Sequence, residues 1–94
     1  MPPVQLEDVP RISAFYGIVI YMYWQDHAPP HFHALYSGDE AQVRIADGTV
    51  MAGALPTTAA RLVTEWASLH RDELLADWAR AQVPDALLPI EGLR

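Results

Sequence analysis

No glycine or proline falls between Pro56 and Pro84, whereas the stretch before Pro56 is rich in β-branched and aromatic residues broken by glycine, proline and an Asp-Gly pair. That single change of grammar sets the fold class. Strand-forming sequence is confined to one half of the chain and helix-forming sequence to the other, the order expected of an α+β protein and not of alternating βαβ units. The expected architecture is three or four antiparallel strands followed by two C-terminal helices. Thr57 or Thr58 is the expected N-cap of the first helix. At 100° per residue, Leu62, Val63, Trp66 and Leu69 centre about 120° away from Leu74, Leu75, Trp78 and Ala81, so one straight helix cannot present both stripes to one core. The spacing predicts a break near His70-Arg71, with Asp72 and Glu73 at the positive end of the second helix.

Residues 1–94 read as one domain. Residues 1–10, with three prolines and two acids, form an extended lead-in; residues 11–56 are the sheet half, 57–82 the helical half and 83–94 an irregular tail packed down by Leu87, Leu88 and Ile90. Phe15 to Trp24 is apolar on both alternating faces and reads as a single strand covered on both sides, ending at Gln25-Asp26. His31 to Tyr36 is strand-like, and Ser37-Gly38-Asp39 is turn chemistry. Ala41, Val43 and Ile45 alternate with Gln42, Arg44 and Ala46 as in a half-buried strand. Asp47-Gly48 then predicts a tight hairpin into Thr49 to Ala54, in which both central residues take positive φ. There is no internal repeat.

The 94-residue length leaves room for one core only, and a domain of this size buries roughly 60 to 65% of its unfolded surface, so association, including homodimerisation, would add to its stability. With no cysteine there is no disulfide framework, thiol nucleophile or cysteine zinc site. No secretory signal or membrane span is visible, and the expected location is cytoplasmic. The formal net charge is −6, and all six basic residues are arginines scattered singly among twelve carboxylates. Without a basic stripe, tight nucleic-acid binding by this chain alone is not expected, although a local arginine pair can still form in three dimensions.

Three of the four histidines fall within Asp26-His27-Ala28-Pro29-Pro30-His31-Phe32-His33. On a strand, His31 and His33 project to one face, from which two imidazoles can reach one metal at about 2.0 to 2.1 Å. An extended diproline would hold the His27 and His31 backbones roughly 12 Å apart, and a turn or a cis proline bond would close that gap. His31 and His33 are therefore the first-choice metal ligands, with His27, Asp26 or a distant residue as the third. The expected cofactor is a divalent metal such as Zn. The alternatives are hydrogen-bonding turn residues and metal-free acid/base catalysis, for which the candidates are His31, His33 and His70. Glu65 and His70, on the helical half, are secondary candidates that would have to approach the sheet histidines. Tyr16, Tyr21, Tyr23, Tyr36 and Trp24 supply more amphipathic aromatic surface than a small core requires, so some of them are expected to line a pocket or partner surface. Arg44 is either solvated or an anion ligand.

The runs Arg11 to Ile20, Asp26 to Ala34 and Glu65 to Leu75 together resemble the Domain of Unknown Function 4160 family of small bacterial proteins, over about Val9 to Ile90. The His-x-Pro-Pro-His-x-His core at His27 to His33 carries the most specific part of the likeness. The resemblance implies a small bacterial protein-interaction module with a protein partner encoded nearby, as in a toxin–antitoxin-like two-gene system. No catalytic residue is carried over with it. Ala52-Gly53-Ala54 departs from the more polar sequence of relatives, which removes any charged contact there. The competing expectation, from the histidines themselves, is a small metal-dependent or histidine acid/base hydrolase such as a ribonuclease.

Overall fold

The computed structural model describes residues 9–94. Five strands, β1 (Arg11–Phe15), β2 (Ile18–Tyr21), β3 (His31–Tyr36), β4 (Asp39–Arg44) and β5 (Val50–Gly53), form one antiparallel sheet in sequential order. Two helices follow, α1 (Thr57–Leu69) and α2 (Arg71–Gln82). The α+β class and the two helices are as expected, but the strand count is five. The extra strand arises because the apolar run from Phe15 contains a hairpin: Tyr16 (φ 50°) and Gly17 (φ 79°) both take the left-handed conformation. Phe15 pairs with Ile18 across that turn. A tyrosine in this conformation is uncommon, and Gly17 is the one turn signal in an otherwise apolar run.

A second two-residue turn of the same kind is made by Ser37 (φ 49°) and Gly38 (φ 89°), with Tyr36 and Asp39 paired across it. The Asp-Gly pair behaves differently. Only Gly48 takes positive φ there, and the chain makes a wider turn in which Gly48 N–H donates to the Arg44 carbonyl and Arg44 N–H to the Thr49 carbonyl, each at 2.8 Å. Asp47 stays in ordinary φ space because its side chain is used instead: Oδ1 accepts from Thr49 N–H at 3.1 Å and from Thr49 Oγ1 at 2.8 Å. The expected threonine cap of α1 is also absent. Pro56 occupies the N-cap position with no side-chain cap bond, and its carbonyl accepts the first helical bond from Ala60 N–H at 2.9 Å.

The helices break at His70, as the stripe analysis requires. α1 lies on one face of the sheet, where Val63 and Trp66 meet Ile12, Ile18, Ile20, Phe32, Ala34, Ala41 and Val43 in a continuous buried core. Trp66 is its centre, with ring centroids 5.2 Å from Phe15 and 5.7 Å from Phe32. The tail seals the β1 edge: Ile90 N–H donates to the Ile12 carbonyl at 2.6 Å, and the Trp66 indole N–H to the Glu91 carbonyl at 2.8 Å. Of the three apolar tail residues, Ile90 is buried and Leu87 packs against the core, while Leu88 is exposed. The fully buried Asp77 of α2 fastens the tail by accepting from Leu88 N–H at 2.9 Å and from Arg80 at 2.8 Å. Of the predicted lead-in, residues 1–8 lie outside the described residues, and Val9 is buried against the fold. No helix among the described residues is long and apolar enough to cross a membrane.

Gly53 closes β5 on β4. Its φ is +75°, and a Cβ there would stand 2.1 Å from the Glu40 carbonyl oxygen. Gly53→Ala has to move the β4 backbone, so it is expected to lower stability by about 1 to 3 kcal/mol. Chemical denaturation of the variant beside the wild type measures this, and an unchanged midpoint would refute the close packing.

Candidate functional site

β3 is the strand that builds the site, because alternation along it serves two faces. Phe32 and Ala34 point into the α1-covered core, and His31 and His33 point to the opposite face. Cross-strand register then surrounds the two rings. Tyr21 on β2 pairs with His33 and stacks on it at 5.0 Å, while Tyr23 stands edge-on to both at 5.6 and 4.7 Å. Trp78 of α2 lies 5.2 Å from the His31 ring. As a result His31 is 1% exposed and His33 5% exposed, although α1 is on the other face.

The β2–β3 loop delivers the third component. Gln25 takes φ 56° and ties its N–H to the Ala81 carbonyl at 2.9 Å, so the loop is docked on α2 before it reaches Asp26. The chain turns again at a cis Ala28–Pro29 bond, and the His27 and His31 rings lie 5.3 Å apart in place of the separation an extended diproline gives. Asp26 becomes the hub. Its Oδ2 is 3.0 Å from His31 Nε2 and 3.2 Å from His33 Nε2, and its Oδ1 is 2.9 Å from His27 Nδ1 while accepting from the His27 backbone N–H at 2.8 Å. One ligand atom from each of Asp26, His27 and His31 lies within 4.8 Å of the other two.

Counting protons on the buried rings exposes the chemistry. His31 Nδ1 is 2.7 Å from the Pro29 carbonyl oxygen, which only accepts, so the ring proton is on Nδ1. In a neutral ring Nε2 then aims a lone pair at a carboxylate oxygen. His33 differs: its Nε2 meets the same Asp26 Oδ2, while its Nδ1 has no hydrogen-bond partner, Glu40 Oε1 at 3.5 Å being too poorly aligned. A neutral His33 can therefore carry its proton on Nε2 and donate it to Asp26, which leaves one mismatch, the His31 Nε2 lone pair against that carboxylate oxygen. One further proton on His31 would resolve it, and so would one divalent cation.

Electrostatics disfavour a charge on the His33 ring. Burial pushes the His33 ring below the usual imidazole value of 6.5, the Asp26 hydrogen bond opposes this, and the charge of His31 reinforces it. For Asp26, burial raises the carboxyl, but the hydrogen bond to His33, the His27 N–H and the charges of His31 and His27 outweigh it and hold the group below the ordinary 3.8.

Of the residues singled out from the sequence, Asp26, His27, His31 and His33 come together. Glu65 and His70 do not join them. His70 packs on Trp66, which belongs to the α1-covered face, and its Nδ1 is 2.7 Å from Glu73 Oε1; Glu65 is exposed on α1. Glu40, Trp78 and the Pro29 carbonyl were not legible as site components, since register and helix docking bring them in. Tyr21 and Tyr23 were marked only by their surplus aromatic surface.

A five-stranded antiparallel sheet with α1 on one face, and a histidine–carboxylate cluster on the other that reaches α2 through Trp78, defines a small α+β protein with a buried polar centre. Residues 17–79, well over half of the chain, match the model of the family described as Domain of unknown function (DUF4160), so the chain belongs to that family. No curated protein and no solved structure matches it.

The depressed groups set the pH response of the metal-free protein. A histidine with a folded-state value below 6.5 stabilises the fold above that pH and loses its contribution as the pH falls through the folded value. Asp26 acts in the same sense from 3.8 downward. With chelator present, the urea midpoint is expected to fall as the pH drops below 6.5, and the His33 ring to titrate by NMR below 6.5. A His33 midpoint above that value would contradict the burial-dominated reading.

Proposed function

We propose that the protein is a small divalent-metal protein with hydrolytic chemistry, its metal held by Asp26, His27 and His31, with His33 bonded to Asp26 on the buried side. One observation carries the reading: His31 commits its Nδ1–H to the Pro29 carbonyl and turns its Nε2 lone pair toward Asp26. Histidines that bind metals are oriented in this way, the second nitrogen donating to a carbonyl or carboxylate. Bonds of about 2.0 to 2.1 Å put neighbouring ligand atoms about 2.9 Å apart in an octahedral shell and about 3.4 Å apart in a tetrahedral one. The contacts of Asp26 with His27 and His31, at 2.9 and 3.0 Å, are within that range, as they are within that of ordinary hydrogen bonds. The imidazole and carboxylate donors suit Zn or a neighbouring first-row ion.

His27 is what favours catalysis over a purely structural ion. Its side chain is 72% exposed while that of His31 is fully buried, so one side of the centre opens to solvent. Structural zinc sites are closed by four protein ligands, whereas catalytic sites keep a position for water, whose pKa the metal lowers to about 7.

Protein purified without a histidine tag is expected to carry or take up one equivalent of Zn, measured by elemental analysis and competition with a chromophoric chelator. Asp26→Asn, His27→Ala and His31→Ala should each weaken uptake by more than the roughly 10- to 100-fold typical of outer-shell losses, and His33→Ala by about that outer-shell amount. A protein that takes up no Zn, or variants that bind like the wild type, would overturn the metal reading in favour of protonated histidines.

A second reading, a module that docks a protein partner in a two-gene system, is favoured by a separate surface. Trp24 is 44% exposed yet pinned by its indole N–H to the Asp85 carbonyl at 3.1 Å, with Val83 73% exposed two residues away from Asp85. Holding a tryptophan rigid in solvent serves recognition better than it serves this fold. Co-expression with the product of the adjacent gene is expected to give a complex by gel filtration that Trp24→Ala dissociates. Two proteins that elute separately at micromolar concentration would end this reading.

A further inference from the structure

The sheet register puts a cation beside the centre. Arg44 on β4 is the direct cross-strand partner of His31. Ile45 N–H donates to the Pro30 carbonyl at 3.1 Å, which makes that neighbouring position a hydrogen-bonded pair and His31–Arg44 a non-hydrogen-bonded one. In such a pair the side chains leave the same face close together, with Cβ atoms about 4.5 to 5.5 Å apart. Arg44 therefore rises from the His31 face at the neighbouring strand, and its side chain is 43% exposed.

The guanidinium is only lightly restrained. Among the described residues its one side-chain partner is Asp47 Oδ2, at 3.4 Å through Nη1 and in an exposed position. Exposed pairs at this distance contribute little, so most of the planar fork is available to another acceptor. Asp47 is meanwhile occupied through Oδ1 by Thr49, and those hydrogen bonds, backbone first, hold its carboxyl below 3.8. A second guanidinium is anchored at the same end of β4, where Arg71 Nε donates to the Ile45 carbonyl at 3.2 Å.

We propose that the ligand of the metal centre is a small molecule bearing a single phosphate group, with one phosphate oxygen on the metal and another on the Arg44 guanidinium. The proposal rests on the metal reading given above. A forked guanidinium matches a phosphate edge, and a metal and an arginine converging on one anion is the usual means of holding phosphoryl oxygens. The overall acidity decides the size of the ligand. A polyanion such as RNA would bring many phosphates against carboxylate-rich surface, whereas one phosphate group needs only the local pair.

Phenyl phosphate is titrated by calorimetry into the full-length protein, Zn-loaded and chelator-treated, with Zn affinity measured separately for every variant. Arg44→Gln is expected to leave Zn affinity and the urea midpoint unchanged and to weaken phenyl phosphate about 10- to 100-fold. Arg44→Lys should recover part of the loss. Asp47→Asn keeps the Oδ1 acceptor for Thr49 but removes the competing charge, and it should tighten phenyl phosphate, a result that a merely structural role for Arg44 would not give. Equal phenyl phosphate affinity in wild type and Arg44→Gln, or equal affinity with and without Zn, overturns the phosphate proposal and leaves the metal reading standing. A protein that takes up no Zn overturns both. A short RNA that binds more tightly than phenyl phosphate would show the ligand to be a polyanion and refute the single-phosphate form.

Discussion

Everything at the polar centre depends on β3 being covered on both of its faces. One face of the strand, Phe32 and Ala34, is buried by Trp66 and the rest of the α1 core. On the other face His31 and His33 are buried by Tyr21, Tyr23 and Trp78 of α2. That burial puts two imidazoles where an unmet hydrogen-bonding atom is expensive. Asp26 is the response, a carboxylate brought over the rings by a loop that is itself docked on α2.

That response is incomplete in an informative way. A single carboxylate oxygen receives two ring nitrogens whose opposite nitrogens already face a carbonyl and another carboxylate. His33 can donate its proton to that oxygen, but His31, whose proton is on Nδ1, turns a lone pair toward it. One proton or one cation at His31 Nε2 resolves the mismatch, while burial disfavours a further charge on His33.

The sequence made the histidine pair legible because strand periodicity is local: His31 and His33 share a face in any β-strand. The helix break was legible for a similar reason, since two apolar stripes on one helix cannot both face one sheet. The hairpin at Tyr16-Gly17 was hidden because its first residue is an apolar-looking tyrosine inside an apolar run. Asp47-Gly48 misled in the opposite direction. It has the composition of a tight turn, but Asp47 uses its side chain to bond Thr49, and the backbone takes a wider path. His70 lies one turn from Trp66 and Glu65 beside that face, yet nothing local says that Trp66 faces the side of the sheet away from the histidines.

By itself, the sequence determined the α+β class, the two helices, the dyad on one strand face and the diproline that separates it from His27, because each is set by periodicity or by covalent restriction over a few residues. Only tertiary structure decided that Asp26 is the hub, that Trp78 and the tyrosines bury the rings, and that Glu40 and Arg44 flank them. Those neighbours come from loop docking, helix placement and cross-strand register. Each depends on contacts between segments far apart in the chain, and no local pattern of residues encodes them.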